Sequence, residues 1–252
     1  MPGTAERRAV TDVTAAMAAF LVPGIWLSAI TIPGGGPRVL AIAAGAAVVG
    51  RAAAAILRRR PLLSSPADRV TLLRAVLVAC CGTVTVAGLF AGSRPALLLV
   101  LMGTVALLLD AVDGRVARFT GTASAAGSRL DTDTDGALVL VLSSAAAAVA
   151  GPWTLCIGLM YYAFLAGGWF RPSLREPLPP STARKVIGAF QPSALLFALA
   201  PGVPSALGAA GLALALTLLV LSFGRDVVEL ERLHRMPRGA ATSSGLGRTG
   251  GR

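Results

Sequence analysis

The stretch Asp110–Asp135 reads DAVDGRVARFTGTASAAGSRLDTDTD and holds five of the chain's 12 acidic residues. Strongly apolar runs flank it, LLVLMGTVALLL on the N-terminal side and GALVLVLSSAAAAVA on the C-terminal side. Carboxylates are costly to desolvate at the edge of a bilayer, so where they occur they mark a functional site by default. We therefore expect the chemistry of this protein to lie in this stretch.

The composition predicts an all-α integral membrane protein. Of the 252 residues, 55% are hydrophobic, and a membrane-spanning helix needs roughly 20 mostly apolar residues. Eight segments meet or approach this length. They lie near residues 13–32, 38–57, 70–91, 95–111, 136–150, 153–170, 186–201 and 204–224.

The distribution of charge predicts the orientation of these spans. With eight spans and the N-terminus inside, only Arg38 and Arg94 lie near outer turns, and the other 21 of the 23 Lys and Arg residues lie toward the inner side. Cytoplasmic loops carry such an excess. We expect a cell-membrane protein with both termini and the aspartates on the cytoplasmic side. The net charge of +11 then indicates contact with anionic lipid, not nucleic acid.

Three regions follow from the pattern along the chain. Residues 1–60 form a leader and two extra spans, 61–233 form the main membrane domain, and 234–252 form a basic tail whose composition is typical of disorder. At the start of the main domain, Ser65 can cap a helix, Pro66 suits its first position, and Asp68 completes a capping box.

The aspartates fall into two pairs that each share a helix face. Asp110 and Asp113 are three residues apart, and Asp131 and Asp135 are four apart. A loop at about 119–129 would let the two helices run antiparallel with their acids opposed. Four converging carboxylates would repel one another without a cation, and a hard divalent ion such as Mg²⁺ is the natural partner.

Three neighbours of the first pair suit a phosphate-bearing ligand. Gly114 and Ala117 remove side-chain bulk near the acidic face, so a ligand could approach the backbone there. Arg118 adds a cation whose planar guanidinium matches phosphate.

The pattern D-x2-D-G-x2-A-R-x8-G-x3-D-x3-D resembles the signature of the CDP-alcohol phosphotransferase family at all eight of its positions. The segment Ala67–Arg74 is similar to the family's first core helix. The resemblance implies a six-helix core over residues 66–224, preceded by about two extra N-terminal transmembrane helices that it does not explain.

The resemblance also implies the activity of the family and the residues of its site. This activity is the metal-dependent transfer of a phosphatidyl-type group from a CDP-linked lipid, such as CDP-diacylglycerol, to an alcohol, with release of CMP. One or two Mg²⁺ or Mn²⁺ ions would be held by Asp110, Asp113 and Asp131, and Asp135 would be the catalytic base and a further metal contact. The nucleotide pocket would be formed by Gly114, Ala117, Arg118, Gly127, Thr71 and Arg74. Family members are commonly homodimers.

Three further residues have open interpretations. Asp133 lies between two motif acids and is interpreted as solvent-facing rather than ligating. Asp68 is equally a helix cap or a nucleotide contact. Arg74 lies within an apolar helix and needs an anionic partner, for which the motif aspartates are candidates.

The acceptor is predicted from the second inner loop. Arg184 and Lys185 lie in the second inner loop, where Lys185 and Gln191 match part of a pattern typical of glycerophosphate-accepting members. We expect a phosphorylated polyol, such as glycerol 3-phosphate or an inositol phosphate. The alternative for Arg184 and Lys185 is a pair of snorkelling cations that flank a helix.

Two other classes of protein remain as alternatives. A UbiA-type prenyltransferase also uses paired aspartates and Mg²⁺, but its acidic motifs lie far apart in sequence, whereas both pairs here fall within 26 residues. A non-enzymatic transporter would hold an ion near the membrane midplane rather than at one edge.

Overall fold

The computed structural model describes residues 4–32, 34–59, 64–92, 96–121, 124–170 and 182–235. Within these ranges it leaves aside the side chains of Thr4, Ala5, Asp113, Ala117, Arg118, Trp169 and residues 232–235. The described part contains helices and turns but no strand. The α-helices are α1 Thr4–Thr31, α2 Gly35–Leu57, α3 Pro66–Ala91, α4 Ala96–Phe119, α5 Ala125–Ala150, α6 Leu155–Phe170, α7 Thr182–Leu199 and α8 Ser205–Arg235.

Six of these helices are long and apolar enough to cross a membrane: α1 to α5 and α8. The sequence predicted eight spans. The two that differ are α6, which has 16 residues, and α7, which has 18 and includes two cations and a proline. Both are short for the roughly 20 residues that a span requires. The all-α multi-pass membrane fold is confirmed.

Helix α3 is the centre of the molecule. About 78% of its apolar window is buried, against 18–33% for the windows of the other five candidate spans. It packs against α1, α2, α4 and α5. Side chains on α3 are therefore held more firmly than those on the outer helices, which suits the helix to anchor a charged group.

The start of α3 has the predicted capping box. The Ser65 hydroxyl accepts a hydrogen bond from the Asp68 amide at 3.1 Å, and the Asp68 carboxylate accepts one from the Ser65 amide at 2.8 Å. Asp68 also forms an ion pair with Arg59 at 2.8 Å. Because the carboxylate is buried and occupied by these donors, its contacts support the capping interpretation and not a nucleotide contact.

The N-terminal helices lie directly against α3. A Cβ on Gly45 of α2 would come within 2.6 Å of the carbonyl oxygen of Ala79 and 2.5 Å of the Thr83 hydroxyl. Only glycine permits this crossing. Arg38 donates from Nε to the carbonyl oxygen of Ile32 at 2.7 Å, so this arginine stabilises the connection between α1 and α2.

The turn between α4 and α5 is shorter than expected. The sequence predicted a loop over about 119–129, but α4 continues to Phe119 and α5 already begins at Ala125. The Ser124 hydroxyl accepts a hydrogen bond from the Gly127 amide at 3.0 Å. This cap starts the helix early, so Gly127 lies in the first turn of α5 and not in a loop.

Candidate active site

Three of the predicted aspartates converge in space. Asp110 lies on α4, and Asp131 and Asp135 lie one turn apart on α5. One carboxylate oxygen from each lies within 4.8 Å of the other two. The antiparallel course of α4 and α5 produces this meeting, because their connected ends bring both acidic faces to the same edge of the helix bundle.

A single buried arginine on α3 joins the three acids. Arg74 donates from Nη1 to Asp110 at 2.6 Å, and from Nη2 to Asp131 at 2.5 Å and to Asp135 at 3.0 Å. The same Nη2 lies 3.1 Å from the carbonyl oxygen of Asp131. Sequence analysis identified the motif aspartates as candidate partners of this intramembrane charge, and the contacts confirm that assignment.

The charge of this cluster fits a divalent cation. Three carboxylates against one guanidinium leave a formal charge of −2, and each carboxylate has a second oxygen besides the one that faces Arg74. Oxygen donors are the ligands that Mg²⁺ and similar hard cations take in proteins. The residues present therefore fit a divalent ion both in charge and in donor type.

Exposure differs across the cluster. The Arg74 side chain is 1% exposed, those of Asp110 and Asp131 are 37% exposed, and that of Asp135 is 47% exposed. The arginine therefore lies at the buried side of the site, and the carboxylates lie between it and the surface of the protein. Asp135 is therefore the carboxylate that a substrate molecule can reach most easily.

The predicted metal ligand Asp113 and several predicted nucleotide-binding residues lie near this cluster in the sequence. The side chains of Asp113, Ala117 and Arg118 lie outside the described residues, although their backbone belongs to α4. Gly114 is partly buried on the same helix. On α3, Thr71 is 4% exposed and donates its hydroxyl to the carbonyl oxygen of Ala67 at 3.1 Å.

Gly127 lies close to the N-terminal end of α3. A Cβ at this position would lie 3.2 Å from the Ser124 hydroxyl and 3.9 Å from the Asp68 carboxylate. A larger residue would press on the Ser124 cap. The absence of a side chain at Gly127 therefore leaves the Ser124 cap undisturbed at the end of the bundle where the aspartates lie.

The predicted acceptor residues lie at the start of α7. Arg184 forms an ion pair with Asp226 of α8, at 3.4 Å, and Lys185 is exposed. Gln191 is buried, and its side-chain nitrogen donates to the carbonyl oxygen of Ala215 at 3.0 Å. Gln191 therefore connects α7 to α8 inside the bundle, whereas Lys185 remains accessible.

A second polar cluster, which the sequence did not predict, lies around Asp133. Its carboxylate accepts a hydrogen bond from the Tyr161 hydroxyl at 2.6 Å and pairs with Arg51 at 3.1 Å. The side chain is 24% exposed, so the interpretation of Asp133 as solvent-facing is wrong. At 100° per residue, Asp133 lies on the opposite face of α5 from Asp131 and Asp135. That spacing was the available signal.

The comparisons with known proteins agree with this geometry. The family model for CDP-alcohol phosphatidyltransferase matches residues 65–221, which include α3 and the three aspartates but neither α1 nor α2. No curated protein and no solved structure matches the chain. Since the match covers more than half of the sequence and includes every residue of the acidic cluster, the chain belongs to the CDP-alcohol phosphatidyltransferase family.

Proposed function

We propose that the protein transfers a phosphatidyl group from CDP-diacylglycerol to a small alcohol acceptor and releases CMP, as a step of phospholipid biosynthesis. Family membership supports the reaction class. The observation that carries the proposal is the set of three outward-facing carboxylates on a buried arginine. Such a site can hold a cation beside a diphosphate while the lipid chains of the donor stay in hydrocarbon.

The metal ligands in this proposal are Asp110, Asp113, Asp131 and, as a further contact, Asp135. The donor set of hard oxygen atoms suits Mg²⁺ or Mn²⁺. When bound, the ion supplies positive charge that neutralises the diphosphate and the developing charge on the leaving CMP. Membership of a metal-dependent family and the −2 charge of the described cluster both support this assignment.

Asp135 is the proposed general base. The hydroxyl oxygen of the acceptor forms a bond to the phosphorus on the lipid side of the diphosphate, and the bond from that phosphorus to the oxygen of CMP breaks. The hydroxyl proton passes to the Asp135 carboxylate. The greater exposure of Asp135 supports this role, because a base must come within hydrogen-bond reach of the proton that it takes.

The cytidine diphosphate pocket is proposed to involve Gly114, Ala117, Arg118, Gly127 and Thr71. Small residues there would let the nucleotide approach the backbone, and Arg118 would bind phosphate. The contacts of Arg74 support a different part in the reaction. Because its guanidinium is buried and holds three carboxylates, we assign it as a positioning residue for the aspartates.

The proposed acceptor is a phosphorylated polyol, such as glycerol 3-phosphate or an inositol phosphate. Exposed Lys185 supports this choice, since its ammonium group is accessible to an acceptor phosphate. Arg184 could join it by exchanging its ion pair with Asp226 for the phosphate. Charge-assisted hydrogen bonds of this kind are the stronger ones in proteins.

The site is proposed to lie on the cytoplasmic side of the membrane, in the main membrane domain of the chain. Positive charge on the inner segments supports a cytoplasmic active site with both termini cytoplasmic. Residues 61–233 are proposed as the catalytic membrane domain, with 1–60 as an added helix pair and 234–252 as a tail. Resemblance to the family supports a homodimer.

The purified protein in lipid nanodiscs tests the reaction directly. CMP release is measured from CDP-diacylglycerol with glycerol 3-phosphate, inositol phosphate, inositol, serine or a second phospholipid as the acceptor, each with Mg²⁺, with Mn²⁺ or with a chelator. We expect acceptor-dependent CMP release that the chelator abolishes. Absence of CMP release with every acceptor at saturating metal would contradict the proposed function.

A further inference from the structure

A cavity of about 330 Å³ lies between the N-terminal helix α2 and helices α3 and α5. Its walls come from α2, α3 and α5, with Tyr162 of α6, and they are almost entirely apolar. Representative wall residues are Ala44, Val48, Val86, Ala137 and Val141. Since α2 lies outside the matched family region and α3 and α5 lie inside it, this cavity lies where the added N-terminal part of the molecule meets the family core.

The cavity and the metal site lie on different faces of α5. Asp133 lines the cavity, whereas Asp131 and Asp135 face Arg74. A ligand in the cavity would therefore be separated from the proposed site of the diphosphate by the body of α5. This separation indicates a second binding site and not an extension of the first.

Water is a poor occupant of this cavity. A buried water molecule needs two to four polar partners. The wall hydroxyls of Thr134 and Ser144 already donate to carbonyl oxygens of their own helix, at 2.8 and 2.7 Å. The wall hydroxyl of Thr85 has no hydrogen-bond partner among the described residues, and it offers a water molecule one partner, which is fewer than the water needs. The cavity also reaches the surface beside Ala47, which is exposed within a candidate span. Because hydrocarbon surrounds such a position in a bilayer, a lipid chain can enter there.

The charged end of the cavity indicates the head group of the lipid that would bind. Five of its wall residues lie on one face of α2 at helical spacing, and one of them is Arg51, whose side chain is 51% exposed. Arg58 follows seven residues later, which is two turns along the same face, and it is exposed. Two cations against the single carboxylate of Asp133 leave one positive charge, which complements one phosphate.

We propose that this cavity binds one hydrocarbon chain of an anionic bilayer phospholipid, with the lipid phosphate between Arg51 and Arg58. Basic groups between transmembrane helices at the inner face recognise anionic lipid head groups in this way. The lipid chain fills the apolar space between α2 and α5, beside the ion pair of Arg51 with Asp133 that already joins these helices. The occupant is a phospholipid of the surrounding bilayer and not the CDP-linked donor.

Photocrosslinking of the full-length protein in nanodiscs tests the proposal without reference to activity. The probe is phosphatidylglycerol with a diazirine in one acyl chain, and labelled peptides are mapped by mass spectrometry. We expect labels on α2, α3 and α5 at the cavity wall. Labels confined to the outer surfaces of the bundle would overturn the proposal.

Two variants of α2 separate cavity binding from general contact with lipid. Ala47→Phe places a ring in the opening and should reduce cavity labelling at least fivefold. Ala43→Phe, at an exposed position one turn away that does not line the cavity, should leave labelling unchanged. Equal labelling of the two variants would overturn the proposal, provided both remain folded by size-exclusion chromatography.

The charge of the lipid is tested with Arg58→Gln. This change should reduce labelling by phosphatidylglycerol about fivefold, which corresponds to ~1 kcal/mol per basic residue near an anionic lipid. Labelling by a matched phosphatidylcholine probe should not change. Equal loss with both probes would overturn the role of the lipid phosphate.

Competition identifies the source of the chain. Unlabelled CDP-diacylglycerol should displace the probe no better than unlabelled phosphatidylglycerol. Much stronger displacement would make the cavity part of the donor site and overturn the assignment. Labelling does not require catalytic turnover. The labelling results therefore test the lipid site even if the proposed reaction is not observed.

Discussion

A guanidinium inside a membrane-spanning helix needs anionic partners, because the bilayer offers no water to solvate it. Among the described side chains, Arg74 has three such partners, together with a backbone carbonyl oxygen of α5. The planar group can serve three carboxylates at once because its N–H donors point in fixed, different directions. Arg74 thus sets the distances between the acids, and the acids in turn make its burial tolerable.

Arg74→Lys tests this arrangement. An ammonium keeps the charge, but it is a point charge that lacks the rigid, planar set of donors. We expect CMP release to fall by about 10- to 100-fold, the usual loss when a group that orients metal ligands is changed, and the Mg²⁺ dependence to shift with it. Arg129→Lys, at an exposed position on α5, is the matched control. Near-full activity with unchanged Mg²⁺ dependence in Arg74→Lys would refute the positioning role.

Asp113→Ala and Asp131→Ala should each abolish CMP release while leaving the protein inserted in the membrane. Each change removes a proposed metal ligand, so added Mg²⁺ should not restore full activity. Glu229→Gln, which removes a charge from α8 outside the acidic cluster, is the control. Activity close to that of the unchanged protein at saturating Mg²⁺, in either alanine variant, would rule out the assignment of that residue as a ligand.

Lys185→Ala is the clean test of the acceptor, because Arg184→Ala would also remove the ion pair with Asp226. The KM for a phosphorylated acceptor should rise roughly 10- to 100-fold, as expected from a charge-assisted hydrogen bond of about 1.5–3 kcal/mol. The KM for CDP-diacylglycerol should stay constant, and Arg225→Ala provides an exposed cation on α8 as the control. If inositol or serine is the better acceptor, the proposed phosphate contact is wrong.

The predictable residues are those whose role depends on local spacing. Asp131 and Asp135 could be paired from their four-residue separation, and Ser65 and Asp68 from the capping pattern. The partners of Asp133 could not be predicted in this way, because Arg51 lies 82 residues away in the sequence and Tyr161 lies 28 residues away. Contacts between distant helices depend on how those helices cross, and a single sequence does not contain that information in local form.

At the scale of the helices, close crossings depend on glycine. Gly45 brings α2 onto α3, and Gly136 of α5 receives the ring of Tyr161, which a Cβ would approach to 2.5 Å. Small residues let helix backbones approach in lipid, where packing and polar contacts replace the hydrophobic effect as the source of association. Since Gly136 follows Asp135 directly, the second crossing also fixes the turn that bears the proposed base.

Gly45→Ala tests the first crossing. The new methyl group would meet a backbone carbonyl oxygen on α3, which cannot move aside without shifting the helix. Such overpacking costs typically about 1–3 kcal/mol, so the midpoint of thermal unfolding in detergent should fall by several degrees. Gly50→Ala is the control on the same helix, where a Cβ has nothing within 4 Å. Equal midpoints for Gly45→Ala and the unchanged protein would show that the crossing is not tight.

The whole molecule raises a question about α6 and α7, which are short for membrane spans. Their neighbours indicate that both run the full height of the bundle. The turn between α7 and α8 lies at residues 200–204, whereas Arg184 of α7 pairs with Asp226 of α8, which is 21 residues past Ser205. At 1.5 Å per residue this is about 32 Å, the thickness of a bilayer core. The start of α7 therefore lies at the end of the bundle opposite this turn.

Helix α6 leads to that same end. Gly158 of α6 packs against Leu140 and Ser143 of α5, and three residues later Tyr161 reaches Asp133. Further along α6 the chain thus moves toward the start of α5 and the aspartates. Both α6 and α7 then have one end at the edge that holds the candidate active site.

Reporter fusions decide whether this arrangement spans a membrane. Alkaline phosphatase, which needs disulfide bonds, works only outside the cytoplasm, and a fluorescent protein reports the inside. A fusion after Arg94 should be outside, and fusions after Glu176 and after Arg225 should be inside. The Glu176 fusion is the informative one: if α6 and α7 only dipped into the bilayer from outside, it alone would change sides, because two missing spans leave the other locations unchanged. An outside location after Glu176 would therefore contradict the crossing of α6 and α7, and a shared location after Arg94 and Arg225 would contradict the orientation of the whole bundle.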